Sequence, residues 1–182
     1  MMNAAPLFLD ELTGLPHRAY LLDRLSEAAE TTPQALALLL VDLDNLFLIN
    51  MERGRHSGDR ALVALAVTLQ RSARPGDTVA RLGGDQFAML LPGTSLATAT
   101  QFACGIRSLV GRAHDAHPDI GTIDVCIGVA AGPEREPWRA DDLLVLADLR
   151  LNSAKRSRYR PGRMQQVWAG PPDLPDEDGG EG

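Results

Sequence analysis

The sequence predicts an α/β or α+β sandwich, on three observations. Segments with the apolar spacing of helices alternate along the chain with short apolar runs that are typical of strands. Two such runs, residues 78–82 and 87–91, flank Gly83 and Gly84, and a glycine pair at that place predicts a hairpin of antiparallel strands. The chain has 182 residues, a length that suits one domain with a full hydrophobic core.

The individual elements are predicted from periodicity and turn residues. Helices are expected over residues 16–30, 57–72, 95–112 and 140–157, with a short helical turn over 46–50. Strands are expected over 35–41, in the hairpin of 79–91, over 120–130 and over 164–168, and a turn over 74–77. Ser57 is the expected N-cap of its helix, and Gly128 predicts a bulge or a close backbone approach.

Charge and hydropathy argue against a nucleic-acid binder and a membrane protein. The formal net charge is −6, but five acids lie within residues 171–182, which contain no base, so the rest of the chain is close to neutral. A nucleic-acid binder would carry a basic surplus. No apolar stretch approaches the roughly 18 residues of a membrane helix, and the start lacks the pattern of a signal peptide.

Cysteine usage predicts a reducing, cytoplasmic setting. Cys104 and Cys126 lie in apolar surroundings outside any CxxC motif, so both are expected to be buried thiols and neither is expected to bind a metal. Residues 170–182, which are rich in proline, glycine and acids, are predicted to be disordered.

Acidic residues stand at two strand ends. Asp42 and Asp44 follow the apolar run of residues 35–41, and Asp85 follows the glycine pair of the hairpin. Carboxylates at the edge of a sheet cost desolvation unless something compensates them, so the two points predict either a shared metal site or solvated turns. Asp44 fits equally well as the N-cap of the helical turn that starts at Leu46.

The segment 81–87 resembles the signature hairpin of GGDEF domains, the diguanylate cyclase family, with Gly-Gly-Asp-Gln-Phe in place of Gly-Gly-(Asp or Glu)-Glu-Phe. Other segments are similar to the family in order and spacing: residues 10–18 (with His17 where Asn is usual), Asp42-Leu43-Asp44, Asn50, Gly58-Asp59, residues 124–130, Ala147-Asp148, Leu151 and Ala154-Lys155. The resemblance implies a nucleotidyl-cyclase-like fold, in which helices wrap a central five-stranded mixed sheet. It divides the chain into an N-terminal lead (1–9), the GGDEF domain (10–169) and the acidic tail (170–182).

The resemblance implies a metal and catalytic site. Asp42, the backbone carbonyl of Leu43 and Asp85 would hold Mg²⁺, or Mn²⁺, when a nucleoside triphosphate binds, because hard oxygen ligands suit these ions. Asp42, Asp85, Gln86 and Lys155 would form the catalytic set, in which the metal neutralises charge on the phosphates.

Two nucleotide sites are implied as well. Asn50 and Asp59 match the family's guanine-binding positions, and an acid that needs the N1 and N2 donors of guanine would reject adenine. Asp59 is also explained as an acid in the first turn of its helix. Arg74 and Asp77 match the inhibitory site for the product, cyclic di-GMP, and the strand period of two adds Arg81. An Arg-x-x-Asp of this kind is otherwise an ordinary surface ion pair.

Four departures from the family touch this machinery. Gln86 replaces an acid and has no charge, and Phe47 replaces a substrate-binding Lys that would face the triphosphate. Met51 replaces an acid beside Asn50. Tyr159 stands where an Arg is expected, with Arg158 and Arg160 as neighbours that could substitute. Phosphoryl transfer depends on positioned charge, so these changes predict impaired or absent cyclase activity.

Three functions stay open at this point. The first is a module that binds cyclic di-GMP and GTP with little or no turnover. The second is an active diguanylate cyclase that condenses two GTP molecules across a homodimer. The third is a domain that serves only to contact a protein partner. The preserved guanine and product positions favour the first, and nucleic acid and membrane are not expected partners.

Overall fold

The structure is a computed structural model that describes residues 9–31, 35–116, 120–132, 139–158 and 167–169. Its elements are, in chain order, α1 (Arg18–Thr31), β1 (Leu36–Leu43), α2 (Leu46–Arg53), α3 (Arg55–Ser72), β2 (Thr78–Gly83), β3 (Gln86–Pro92), α4 (Leu96–Ala116), β4 (Val125–Ala131), α5 (Ala140–Arg158) and β5 (Val167–Trp168). No helix among these residues is long and apolar enough to cross a bilayer. The predicted disordered tail lies outside the described residues, as does most of the N-terminal lead.

The strands form one five-stranded mixed sheet in the order β2-β3-β1-β4-β5. β1 lies at its centre and pairs antiparallel with β3 and β4, while the edge strand β5 is parallel to β4. The predicted sandwich with a central mixed sheet is confirmed.

Helices cover both faces of the sheet, which explains why every residue of β1 is buried. On one face, alternate β1 residues such as Leu39 and Val41 join a core that includes Leu65 of α3 and Ile106 of α4. The other alternate set continues into a second core beneath α1 and α5: Leu36, Leu38 and Leu40, with Leu21, Leu25 and Leu151.

Gly128 brings α5 directly onto β4. A Cβ at this position would lie 2.2 Å from the carbonyl oxygen of Ala147 and 2.3 Å from the amide nitrogen of Leu151. Because the register between β1 and β4 runs without interruption, the glycine serves a close backbone approach and not a bulge.

The hairpin of β2 and β3 is confirmed, with its turn placed one residue later than the glycine pair suggested. Gly83 pairs with Gln86, so Gly84 and Asp85 form the turn, and the register shifts between Arg81 and Gly83. Gly83 and Gly84 have φ values of 133° and 56°, which a glycine adopts readily.

Several local predictions were wrong. α3 starts at Arg55, so Ser57 lies inside the helix and donates to the Arg53 carbonyl at 3.1 Å instead of acting as the N-cap. β4 starts at Val125 and not at Ile120. Cys104 is exposed on α4, because its neighbours Ala103 and Ile106 face the core, whereas Cys126 is buried as expected. Of the predicted last strand, residues 164–166 lie outside the described part.

Candidate active site and nucleotide-binding residues

Asp42 is a buried carboxylate on the α5 face of the central strand. It is the last member of the alternation Leu38, Leu40, Asp42, and it is only 3% exposed. Lys155 of α5 reaches it with an Nζ–Oδ2 distance of 2.6 Å. The side-chain amide of Gln86, which is paired with Asp42 across the sheet, donates to the same oxygen at 3.4 Å.

Burial and neighbouring charge shift the pKa of both members of this ion pair. Burial raises the pKa of Asp42, and the charge of Asp85 adds to this, against the stabilising contact with Lys155. For Lys155, burial would lower the pKa, but the hydrogen bond and charge of Asp42, with the charge of Asp85 and Asp44, raise it overall. The Lys155 ammonium group therefore compensates the negative charge of Asp42 at a site that is largely shielded from solvent.

The turn of the hairpin holds Asp85 beside the end of β1. The amide of Leu43 donates to the backbone carbonyl of Asp85 at 3.1 Å, and the Asp85 charge acts on both Asp42 and Lys155. Within the described residues no group of three or more acid, His or Cys side chains is placed to bind a metal. A pair of carboxylates such as Asp42 and Asp85 is the kind of ligand set that Mg²⁺ uses, since this ion keeps waters or phosphate oxygens as its other ligands.

Asp44 is part of an ion-pair network and does not cap α2. The residue before α2 is Asn45, and no side chain caps the helix through a hydrogen bond. Asp44 is instead 2.8 Å from Arg158 and accepts from the Cys126 thiol at 2.9 Å. Burial raises the pKa of Asp44, and burial together with Asp44 raises the pKa of the Cys126 thiol.

Arg158 is engaged with acids in this network. Besides Asp44 it approaches Asp124 at 3.9 Å, and Asp124 also lies 3.7 Å from Arg107 of α4. An Arg that pairs with two acids is a poorer substitute for a phosphate-binding Arg than a solvated one. Tyr159 and Arg160, the other residues considered for that role, lie outside the described residues.

The structure brings the two guanine-binding candidates to adjoining helices. Asn50 of α2 packs against Gly58 so closely that a Cβ there would lie 2.0 Å from Asn50 Oδ1, and Asp59 follows Gly58 directly. Asp59 is exposed and lies in the second turn of α3, because the helix starts two residues earlier than predicted, so the first-turn explanation does not apply.

Apolar side chains occupy the exposed face of α2. Phe47 and Met51, four residues apart, are 72% and 71% exposed. Position 47 therefore presents an aromatic ring to solvent and offers no positive charge to a phosphate.

The Arg-x-x-Asp segment forms a closed turn at the end of α3. The backbone amide of Arg74 donates to Asp77 Oδ2 at 2.8 Å, and the Asp77 amide donates to the Arg74 carbonyl at 3.0 Å. The guanidinium of Arg74 lies over the Phe102 ring of α4, 5.8 Å from its centroid. Phe102 carried no sequence signal, because a single aromatic in an amphipathic helix usually marks the core.

Arg81 holds the hairpin. Its NH1 is 2.8 Å from Asp10 Oδ1, its NH2 donates to the Gly84 carbonyl at 2.7 Å, and its side chain is only 11% exposed. It shares the face of Val79, as the strand period predicted, since both adjoin the core on the α3–α4 side.

Sequence reasoning did not single out Asp10. Its carboxylate accepts from the Thr13 amide at 2.8 Å and the Thr13 hydroxyl at 2.7 Å as well as from Arg81. Burial alone would raise the pKa of Asp10, but the hydrogen bonds from Thr13 and Arg81 hold it below its ordinary value. The Asp-x-x-Thr-Gly pattern at residues 10–14 was the available signal for such a turn.

Comparison with known proteins agrees with this architecture. The family model described as "Diguanylate cyclase, GGDEF domain" matches residues 7–160. The chain belongs to the GGDEF family, a domain type of cyclic di-GMP signalling.

Individual relatives and solved structures also belong to the GGDEF family. The chain is 36% identical over 163 residues to the diguanylate cyclase TpbB of Pseudomonas aeruginosa, covering 87% of this chain and 37% of TpbB. The solved GGDEF domain of TpbB matches with a TM-score of 0.76 at 35% identity, over 88% of this chain and 92% of that one. The GGDEF domain of DgcB from Caulobacter crescentus, solved with c-di-GMP, matches with a TM-score of 0.76 at 27% identity, over 92% and 98%. This chain thus spans little more than a third of TpbB.

Proposed function

We propose that this domain binds guanine nucleotides and turns GTP over slowly or not at all. Cyclic di-GMP is recognised at Arg74, Asp77 and Arg81, and GTP with Mg²⁺ or Mn²⁺ at Asp42, Leu43 and Asp85. The proposal rests chiefly on Gln86, which lies across the sheet from Asp42 and gives that carboxylate a hydrogen bond at 3.4 Å.

The charge around Asp42 supports reduced catalysis. Gln86 is paired with Asp42 across the sheet, and its amide carries no charge where the family has a carboxylate. Lys155 already compensates the single charge of Asp42. A site with fewer fixed charges stabilises the developing charge of phosphoryl transfer less, and loss of one such group typically costs about two to three orders of magnitude in rate.

The guanine preference is supported by Asn50 and Asp59. They adjoin across the Gly58 contact, and Asp59 is open to solvent, so a base entering beside α3 would meet a carboxylate acceptor. A carboxylate pairs with the N1 and N2 donors of guanine, and adenine does not offer that edge.

An active cyclase is the second candidate, because Asp42 and Asp85 are both present and adjacent to Lys155. That activity would need two copies, each carrying one GTP. The preserved site residues give less support to a domain that serves only as a protein-binding surface.

Isothermal titration with cyclic di-GMP, GTP and ATP, beside a turnover assay with Mg²⁺ and with Mn²⁺, tests the proposal. We expect cyclic di-GMP to bind, GTP to bind more tightly than ATP, and cyclic di-GMP to form far more slowly than about once per second. Turnover at that ordinary rate would establish the active cyclase instead. Equal binding of GTP and ATP would refute the roles given to Asn50 and Asp59.

A further inference from the structure

A groove with a volume of about 650 Å³ runs between α3 and α4. Its floor is apolar: Val63 and Val67 of α3 face Leu109 of α4 and Ile120 beyond it. Val67 and Leu109 are 38% and 44% exposed, so two large aliphatic side chains in the groove remain open to solvent. A concave apolar surface of this size is large enough to bury several side chains of a peptide.

The described side chains that line the groove carry charge of one sign. Arg60 and Arg71 of α3 and Arg112 of α4 are exposed at its edges, and the described residues that line it include no carboxylate. Three like charges around one concavity create a local positive potential, although the chain as a whole is acidic. The groove therefore favours an anionic occupant with an apolar side chain.

The acidic tail has this chemistry. Residues 170–182 carry five acids and no base, with Leu174 as their large apolar residue: Asp173, Asp176, Glu177, Asp178 and Glu181. The chain enters the tail from β5, which packs against α4, and Ala169 adjoins the core on the α3–α4 side. Thirteen residues reach on the order of 40 Å when extended, enough to run along a helix such as α3.

We propose that residues 170–182 dock into this groove of their own chain. The carboxylates pair with Arg71 and Arg112, and Leu174 covers the apolar floor between Val67 and Leu109. The inference is independent of the proposed nucleotide function, since it uses neither the Asp42 site nor the Arg74 turn.

Paramagnetic broadening in the 182-residue chain measures docking. Cys104 is exposed on α4 while Cys126 is buried, so a nitroxide reagent labels α4 alone. In ¹⁵N-labelled protein, the amide signals of Asp176, Glu177 and Asp178 should lose intensity with the label oxidised and regain it when the label is reduced. The loss should shrink in about 1 M NaCl, where the Debye length falls to about 3 Å.

Charge variants distinguish a tail that binds the groove from one that stays near α4 only because it is attached to β5. Arg71→Glu with Arg112→Glu should restore the tail signals to their intensity in high salt, whereas Arg18→Glu, a single charge reversal on the opposite face, should leave the broadening as in the parent. Adding Asp176→Lys and Asp178→Lys to the double variant should bring the broadening back, which an unfolded protein could not do. Unchanged broadening in the double variant would overturn the proposal. So would broadening that arises only from spin label carried by a second copy, measured by mixing ¹⁵N chains with labelled ¹⁴N chains.

Discussion

Single residues decide how much negative charge the active site can hold. Asp42 is buried, and its negative charge is stabilised by the ammonium group of Lys155 and the side-chain amide of Gln86. Replacing that amide by a carboxylate would place a third acid near Asp42 and Asp85, a tolerable arrangement only with a metal bound. Gln86 thus lowers the repulsion among the acids near Asp42, and lowers the fixed negative charge that could hold a cation.

Arg74 is the residue whose loss should weaken cyclic di-GMP binding most directly. Arg74→Ala should cost about 1–3 kcal/mol of binding free energy, the value of one bidentate contact to guanine. Its guanidinium lies over the Phe102 ring at an exposed position, so its removal should leave the fold intact. Titration of parent and variant, with Arg18→Ala as a charge-matched control on α1, checks this. Equal affinity in the parent and Arg74→Ala would place the ligand elsewhere.

Asp10 should stabilise the fold in a pH-dependent way. Asp10→Asn keeps an oxygen for Thr13 but loses the charge that pairs with Arg81, so we expect the free energy of unfolding at pH ~7 to fall by about 1–2 kcal/mol. The pKa of Asp10 is lower in the folded chain than the value of about 3.9 in the unfolded chain, so its contribution is present above that value and is lost as the pH falls through the folded pKa.

Urea unfolding from pH ~7 down to pH ~3 measures this effect. The difference between parent and Asp10→Asn should be constant at neutral pH and shrink below pH ~4. Asp23→Asn, at an exposed position of α1, should show no such difference. A gap between parent and Asp10→Asn that persists unchanged to the lowest pH would mean that the Arg81 ion pair contributes nothing.

At the scale of elements, the contact between α2 and α3 sets the geometry of the proposed guanine site. Gly58→Ala would put a Cβ 2.0 Å from Asn50 Oδ1, which only a rotation of that side chain can relieve. We expect the fold to survive, because the obstructed group is the far end of a side chain and alanine favours a helix by about 1 kcal/mol. The preference for GTP over ATP should fall.

Gly111→Ala in α4 is the matched control, because a Cβ there meets no atom within 4 Å. Thermal unfolding should show both variants folded, and titration should show altered selectivity only in Gly58→Ala. Unaltered selectivity in a folded Gly58→Ala chain would remove Asn50 from the recognition site.

The order of helices and strands could be predicted because hydrophobic periodicity follows burial. β1 was recognised as an uninterrupted apolar run, and the glycine pair identified the hairpin although the turn lies one residue later. Helix starts were less predictable: Ser57 has the chemistry of an N-cap, but the chain turns at Gly54, whose φ is 84°. The packing of α2 on α3 therefore decides where the helix begins, and it outweighs the preference of Ser57 for an N-cap position.

The site was less accessible to sequence reasoning than the fold. The Asp42–Gln86 pair depends on strand register, and the Asp44–Arg158 and Asp10–Arg81 pairs join residues distant in the chain. Asp44 is a residue type that often caps a helix, so the sequence favoured that role. Its contacts with Arg158 and Cys126 follow only from the packing of α5 on β4. No single-sequence pattern specifies such tertiary contacts.

At the scale of the whole molecule, catalysis should return when the lost charges are restored together. Gln86→Glu with Phe47→Lys adds a carboxylate opposite Asp42 and a cation on the exposed face of α2. We expect cyclic di-GMP formation well above that of the parent, because both groups act on the triphosphate and metal. Their effects need not be additive.

Product formed per hour, measured by chromatography at matched protein concentration for the parent, both single variants and the double variant, tests this. Met51→Lys, one helical turn from Phe47 and almost equally exposed, controls for a general effect of positive charge on α2. Equal product from the parent and the double variant would show that the missing charges are not what limits the reaction.

The contact at Gly128 has a consequence for electrostatics. Ala147, Leu151 and Lys155 lie four residues apart on α5, so the backbone that rests on Gly128 and the ammonium that reaches Asp42 belong to one stripe of the helix. The missing side chain at position 128 thereby fixes how near a positive charge stands to the acidic end of β1. A methyl group added there would lift α5, lengthen the 2.6 Å ion pair and leave Asp42 buried with its countercharge withdrawn. The position of the positive charge beside Asp42 is in this sense determined by helix–sheet spacing, at a residue outside the proposed metal and nucleotide sites.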